Sequence, residues 1–531
     1  MLRGTFILTV ATFLSKFLGL IFVVPFTALV GDKGNYLYSF AYTPYSIILS
    51  LATMGVPLAV SKFVSKYNAI GDYATGRRLF KSGLKIMTIT GILGFVILYL
   101  FAPVIARLSS GQGSDFADVV SVIRVISVAL IIVPAMSLIR GYFQGYQSMG
   151  PTALSQVIEQ LVRIIFILIS AFLVMVIFHG SVLTAVELAT FAAFVGAFFG
   201  LLILIGYWRK RKSHLDAYVA QSTVQSNMSL SEMYRELIAY AIPFVAVGIA
   251  MNLYQAIDQL TSKHYLSIYQ HYSHNELVSI IANLMMNDQK LVMIPVSLAT
   301  ALALSVVPSV TKSYAEGNRD EVQKKTTQAL QLVLFLTIPA AAGMSILGYM
   351  IYGMLYDVNG IIIGGHILRW YAPTALLFAL FSVTASILQG INMQKVTIFS
   401  LLVGVLIKLI LNPLFMMWFG MVGPILATNV GYIASVFINM VAITRTTGYQ
   451  YGFIAKRFLL ISIFTVVMLI VVKIVLLLTG GTIPKSLLHG AVVSIISVIL
   501  GGGVFALLSF RSGLARQILG NRIPFIGRFM K

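Results

Sequence analysis

The sequence has no cysteine, and only 16 of its 531 residues are Asp or Glu. Disulfides, thiolate metal sites and thiol nucleophiles are therefore excluded. Charge of any sign is scarce, at 10% of residues, where a soluble protein carries about 25%. A P-loop, an HExxH pair, a GxSxG elbow and an acidic metal cluster are also missing. Nothing in the chain points to ATP hydrolysis, metalloprotease or serine-hydrolase chemistry, or a resident cofactor.

What is present is apolar. Hydrophobic residues make up 59% of the chain and mean hydropathy is +0.93, more than one aqueous core can bury. Apolar runs bounded by Gly, Pro or charge occupy residues 5–30, 36–61, 83–106, 119–147, 151–178 and 183–208. After a polar stretch they resume at 235–258, 280–311, 326–355, 363–392, 396–418, 421–444, 456–479 and 486–510. Each has about the length that one spanning helix requires. The expectation is an all-α polytopic membrane protein of fourteen transmembrane helices. The first run follows Arg3 and is too long for a signal-peptide core, so it reads as a retained helix.

Lys and Arg outnumber the acids 37 to 16, for a formal charge of +21. In a soluble chain that balance would suggest nucleic acid; its placement excludes that reading. With the N-terminus inside, segments 1–4, 62–85, 209–235, 312–325, 394–395, 445–457 and 511–531 hold 25 of the 37 cations. The outer loops hold only Lys33, Arg107, Lys263 and Lys485. This is the positive-inside pattern of a bacterial inner membrane protein with both termini cytoplasmic and its basic face on anionic lipid. The tail 511–531, with Ile518, Leu519, Ile523, Phe525 and Ile526 among its cations, reads as an interfacial segment.

The chain also repeats. Leu51-Ala52-Thr53 recurs as Leu298-Ala299-Thr300, and Gln144-Gly145 followed by Arg163 recurs as Gln389-Gly390 followed by Lys408, at offsets of 247 and 245. Helices 1–6 and 7–12 are thus expected to be two pseudo-symmetric six-helix lobes, a parallel transporter repeat. The boundaries expected are 1–208 for the N-lobe, 209–234 for a basic cytoplasmic linker, 235–445 for the C-lobe and 446–531 for helices 13 and 14 with the tail.

Eight cations lie inside expected spans: Lys16, Arg124, Arg140, Arg163, Lys290, Arg369, Lys408 and Lys473. Arg140 precedes the Gly150-Pro151 turn by about ten residues, and Glu159 and Arg163 follow it by eight and twelve. At 1.5 Å per residue all three reach a similar depth, roughly 12–18 Å from the cytoplasmic end. Glu159 and Arg163 are i,i+4 on one helix face, so they can neutralise each other. Arg140 still leaves the group net positive, which favours an anion site. A lipid-facing charge at this depth costs about 2.5–3.5 kcal/mol, which argues for a protein interior or a wet cavity. Lys16 and Lys408 extend the cationic group, and Gln144 adds a polar contact. Asn252, Gln255 and Asp258 share one face of helix 7, where Asp258 and Asn252 are candidate ion-coupling residues and Asp258 is otherwise solvated at the outer interface. Asp288 and Lys290 read as mutual neutralisers. His271-x-x-His274 lacks the further ligands of a zinc site, and Ser229-x-x-Glu232 is a helix capping box.

Three stretches carry a resemblance: Arg140-Gly141-Tyr142-Phe143-Gln144-Gly145, Met149-Gly150-Pro151-Thr152-Ala153-Leu154-Ser155-Gln156, and Glu159-Gln160-Leu161-Val162-Arg163. They closely resemble the polysaccharide-export, SpoVB-like branch of the MOP flippases, which includes the YtgP-type MurJ lipid II flippases. Ser15-Lys16-Phe17-Leu18-Gly19 and Gly55-Val56-Pro57 with Ser61-Lys62 look like the same family. The resemblance implies a V-shaped, two-lobed, MATE-like transporter that is not an enzyme. It implies outward movement of undecaprenyl-pyrophosphate-linked saccharide by alternating access, with lipid II for peptidoglycan synthesis the expected substrate and cell-wall synthesis machinery a partner. It also implies a cationic cavity for the pyrophosphate and sugar, and a groove beside the last two helices for the lipid tail. Lys16 matches a cavity cation of Gram-negative relatives, whereas their later cavity arginines fall on apolar or small residues here. Other lipid-linked polysaccharides, or cationic drugs as in MATE exporters, are the alternative cargoes. The drug alternative calls for acids in the cavity, where this chain has more cations.

Overall fold

The computed structural model describes residues 11–12, 14–15, 17–53, 56–110, 113–222, 229–356 and 360–519, and these are helical almost throughout. Eleven described segments are long and apolar enough to cross a membrane. One of them, Gln394–Thr447, holds two helices joined by the short turn Gly420–Val422. By its contacts the chain divides into two compact units, Met1–His264 and Tyr265–Lys531.

The first unit contains α1 (Val23–Thr53), α2 (Val56–Ala69), α3 (Tyr73–Ser110), α4 (Phe116–Ser127), α5 (Val133–Gly145), α6 (Met149–Phe172), α7 (Val182–Ala220) and most of α8 (Leu230–Gln270). α1 is broken at Gly31, where φ is 65°, a left-handed value that glycine adopts without a Cβ clash. Across that bend Asn35 Nδ2 donates to Thr27 Oγ1 at 2.7 Å. α7 runs for 39 residues, about 58 Å at the α-helical rise, so residues 209–220 are a helical extension. At the start of α8 the expected capping box is present. The Ser229 amide donates to Glu232 Oε2 at 2.9 Å and the Glu232 amide to Ser229 Oγ at 3.2 Å. These bonds hold the Glu232 carboxyl below the usual carboxylate range.

Segments that the charge pattern assigns to one face meet one another, at opposite ends of α3. Beyond its C-terminal end, Lys33 pairs with Asp118 at 3.8 Å and Lys263 with Asp115 at 3.2 Å. At its N-terminal end Arg77 pairs with Asp216 at 2.9 Å and lies 4.5 Å from the Trp208 ring. Arg211 there bonds Ser148. A core of Phe63, Val64, Leu79, Phe80 and Tyr142 packs beneath this cluster.

The second unit contains α9 (His274–Ala282), α10 (Asp288–Leu304), α11 (Val307–Ala315), α12 (Arg319–Ile346), α13 (Gly348–Leu355), α14 (Ile361–Tyr371) and α15 (Thr374–Gly390). It continues through α16 (Gln394–Phe419), α17 (Gly423–Thr447), α18 (Gly452–Leu478), α19 (Leu487–Arg511) and α20 (Leu514–Leu519). A π-helical turn, Asn283–Asn287, joins α9 to α10.

Local geometry recurs between the units at the sequence offset. Gly71 and Gly317 both take positive φ, 79° and 72°. Each is followed by a capping side chain: Asp72 accepts from the Thr75 amide at 3.0 Å, and Asn318 from the Glu321 amide at 3.1 Å. The Gln-Gly turns match as well, with Gln147 and Asn392 at φ 57° and 62°. A Cβ on Gly145 would meet Val64 at 2.7 Å and one on Gly390 would meet Thr311 at 2.6 Å. Both glycines are therefore needed for close approach of the neighbouring short helix.

Candidate functional site

The charged group of α5 and α6 is tied together by a serine. Arg140 Nη2 donates to Glu159 Oε2 at 2.6 Å and to Ser155 Oγ at 2.7 Å, and Arg140 Nε reaches the same hydroxyl at 3.2 Å. Ser155 in turn donates to the Gly200 carbonyl of α7 at 2.9 Å. The Arg140 and Glu159 side chains retain 16% and 21% exposure, so the pair is half-buried rather than sealed. Glu159 thus neutralises Arg140 across two helices, not Arg163 along its own. Arg163 carries the remaining positive charge. It donates to Tyr38 Oη at 3.3 Å and lies 5.5 Å from the Tyr42 ring on α1. Ring faces and hydroxyls steady a cation in a low-dielectric setting by up to about 2 kcal/mol without cancelling its charge.

α7 reaches this charged face because Gly196 and Gly200 carry no side chain. A Cβ on Gly196 would stand 2.7 Å from the Glu159 carbonyl oxygen, and one on Gly200 would be 3.2 Å from Glu159 Cβ. Small residues four apart let helix backbones approach closely, as in membrane helix pairs generally.

The other expected site residues are distributed. Gln144 lies half-buried one turn after Arg140 on α5. Asn252 and Asp258 are half-buried on α8, where the adjacent Gln259 donates to the Phe40 carbonyl of α1 at 3.1 Å. Lys408 belongs to the second unit and is fully buried between α16 and α17. Its ammonium donates to Thr428 Oγ1 and to the Pro424 carbonyl. Lys16 lies outside the described residues, as does the tail from residue 520. At the repeat offset Arg163 corresponds to Lys408, but Arg140 and Glu159 correspond to Ala385 and Gly404. The ion pair therefore belongs to the first unit alone.

A second feature is apolar. A cavity of about 530 Å³ in the second unit lies among α12, α18, α19 and α20, with Phe335, Met344, Met468, Val472 and Phe505 in its wall. Its volume is that of an ordinary ligand pocket, about 300–1,000 Å³. It stands beside α18 and α19, the last two long helices.

A sequence model of the family described as "Polysaccharide biosynthesis protein" matches residues 1–314, and one described as MatE matches residues 243–414. The lipid II flippase MurJ of Bacillus subtilis (strain 168) is 44% identical, over 99% of this chain and 97% of its own length. The chain belongs to the polysaccharide biosynthesis family of MOP flippases. The family's fold is seen in a solved lipid II flippase MurJ in an inward closed conformation. That structure matches with a TM-score of 0.65 and 16% identity, over 96% of this chain and 99% of its own. An inward-facing multidrug resistance MATE transporter of the MOP superfamily matches with a TM-score of 0.63 and 14% identity, over 82% and 95%.

For this MOP family member, sequence reasoning found the charges and missed their partners. Ser155, Tyr38 and Tyr42 carry no distinctive local pattern. The signal available was Gly196-x-x-x-Gly200, a small-residue spacing that marks where a neighbouring helix comes close.

Proposed function

We propose that this chain is a lipid II flippase. It carries undecaprenyl-pyrophosphate-linked cell-wall precursor from the inner to the outer leaflet of the bacterial cytoplasmic membrane, for peptidoglycan synthesis. The observation that carries this reading is the 44% identity with a lipid II flippase over nearly the whole of both chains. In this reading fourteen helices span the membrane, helices 1–6 and 7–12 are the two pseudo-symmetric lobes, helices 13 and 14 are additional, and both termini are cytoplasmic.

The chemistry follows from the charges. A diphosphate brings roughly two negative charges into a low-dielectric region, and charge-assisted hydrogen bonds from Arg and Lys offset its desolvation. Arg163 meets the diphosphate first because it lacks an acidic partner among the described contacts. Arg140 joins when it exchanges the Glu159 carboxylate for phosphate oxygen. Lys16 and Gln144 complete the polar contacts in the first unit, Lys408 holds Thr428 and Pro424 within the second, Asp258 and Asn252 hold a coupling cation, and the apolar cavity of the second unit takes part of the polyprenyl tail. The basic inner face rests on anionic lipid, within reach of the wall-synthesis machinery.

The test is depletion in cells with a readout of which lipid-linked precursor accumulates on the inner leaflet, paired with flipping by the purified protein in vesicles. Lipid II is expected to accumulate. Arg163→Ala and Arg140→Ala are each expected to lower flipping by about 10- to 100-fold, the weight of one charge-assisted hydrogen bond, while the protein still inserts. Accumulation of a teichoic, capsular or spore-cortex precursor would reassign the cargo. The MATE-like fold favours drug efflux as the second reading, and efflux without any wall defect on depletion would establish it.

A further inference from the structure

The first unit holds an arginine that the proposed transport does not use. Arg124 is half-buried on α4, inside the apolar run that begins at residue 119, by about 8 Å at the helical rise. Its guanidinium stands 4.9 Å from the ring of Tyr99 on the neighbouring α3. Tyr99 itself lies inside the run that ends at residue 106, by about 10 Å. The cation is thus held beside a ring within the span, where long side chains near a span's end otherwise reach out to water.

Among the described residues that ring is the partner of the guanidinium, which makes no ion pair and no hydrogen bond there, and its Nε is buried without an acceptor. Three acids at this end of the unit are engaged elsewhere. Asp118 pairs with Lys33 at 3.8 Å and Asp115 with Lys263 at 3.2 Å. Glu187 of α7 accepts from the hydroxyl of Ser121, one turn before Arg124. A guanidinium carries five N–H donors and keeps its charge, so at this depth it calls for an anion from outside the chain.

The surroundings say which anion. Tyr99 is 39% exposed, and Ile92, Val96 and Leu100 beside it on α3 are exposed as well, the face that a spanning helix turns to lipid. A ligand approaching from that side lays apolar chains along α3 and brings its charged end to Arg124. Phosphate is the lipid anion that the guanidinium fork matches.

We propose that Arg124 and Tyr99 form a site for the phosphate head of a membrane lipid, in the leaflet at the Lys33–Asp118 end of the unit. That leaflet is the outer one in the orientation proposed above. A resident phospholipid and a pyrophosphate-linked cargo after its passage both offer this chemistry. The site rests on neither the orientation nor the flippase reading.

The test is a lipid titration of the purified full chain in detergent, read by native mass spectrometry. One arm uses phosphatidylglycerol, a second undecaprenyl pyrophosphate, and a third a diacylglycerol with the same acyl chains and no phosphate. Arg124→Gln is expected to weaken the tightest phosphatidylglycerol by about 10- to 100-fold, the weight of one charge-assisted hydrogen bond. Arg124→Lys keeps the charge and is expected to weaken it less. Tyr99→Leu removes the ring that holds the guanidinium and is expected to weaken it severalfold. The diacylglycerol is expected to bind the parent and Arg124→Gln alike, and an equal loss there would mark a packing defect and overturn the proposal. Weakening with undecaprenyl pyrophosphate alone keeps the site and gives it to the cargo. Affinities unchanged by Arg124→Gln in both phosphate arms overturn it. If Arg124→Gln does not fold, unchanged affinities of Tyr99→Leu in both phosphate arms are enough to overturn it. Flipping is read in none of the arms, so this outcome stands apart from that of the flipping assay.

Discussion

At the scale of single residues, the choice of partner by Glu159 decides the electrostatics of the site. The i,i+4 spacing with Arg163 was legible in the sequence, and it offered a pairing along the helix. The structure pairs Glu159 with Arg140 instead, at 2.6 Å, because Ser155 holds the guanidinium of α5 over the face of α6. Which of two arginines a carboxylate takes depends on how two helices cross, and one-dimensional spacing does not contain that angle. The consequence is that Arg140 is paired with a carboxylate, whereas Arg163 meets the Tyr38 hydroxyl and the Tyr42 ring. Glu159→Gln removes the competitor for Arg140. It is expected to tighten binding of a pyrophosphate lipid several-fold in an equilibrium titration while lowering turnover, because the anion is then released more slowly. Weaker binding with unchanged turnover would show that Glu159 serves only to position Arg140.

At the scale of elements, the helices themselves were legible because long apolar runs leave the backbone no other way to satisfy its hydrogen bonds in lipid. Departures occur where polar sequence continues a helix, as in residues 209–220 of α7, since apolar patterning reports burial in lipid and not helicity. The packing of α7 on α6 was not read from the sequence, and it rests on Gly196 and Gly200. Gly196→Leu drives a side chain toward the backbone carbonyl of Glu159, 2.7 Å from the new Cβ, and backbone cannot swing aside as a flexible side chain does. Overpacking of this kind costs about 1–3 kcal/mol. The expected outcome is a lower thermal midpoint in detergent together with loss of flipping. Gly206, on the same helix, has open space around its Cβ position. Gly206→Ala is expected to leave the midpoint unchanged or raise it by the equivalent of about 0.4–1 kcal/mol. Equal effects at the two positions would refute the close-approach argument.

At the scale of the whole molecule, the expectation of a duplication rested on two weak sequence matches. The structure adds local evidence for it in the paired glycine bends and caps at Gly71 and Gly317. The same offset places Ala385 and Gly404 where the first unit has its ion pair. For the proposed transport the cargo is anionic, and the inner side of a respiring bacterial membrane is negative. Each negative charge moved outward gains about 2.3 kcal/mol per 100 mV. Flipping in vesicles is therefore expected to accelerate when an inside-negative potassium diffusion potential is imposed, and to slow when it is reversed. Indifference to both would mean that a coupling ion compensates the cargo's charge. The single rod of α7 has a mechanical consequence here. It presses on the ion pair at Gly200 and carries Asp216 about 24 Å further along, where that carboxylate grips Arg77 at 2.9 Å. Tilting the rod by about 10° at the glycines sweeps its far end through about 4 Å, enough to part that grip. A rod of this length would act as a lever arm, linking the half-buried Arg140 at its glycines to the contact of Asp216 with Arg77 at its far end.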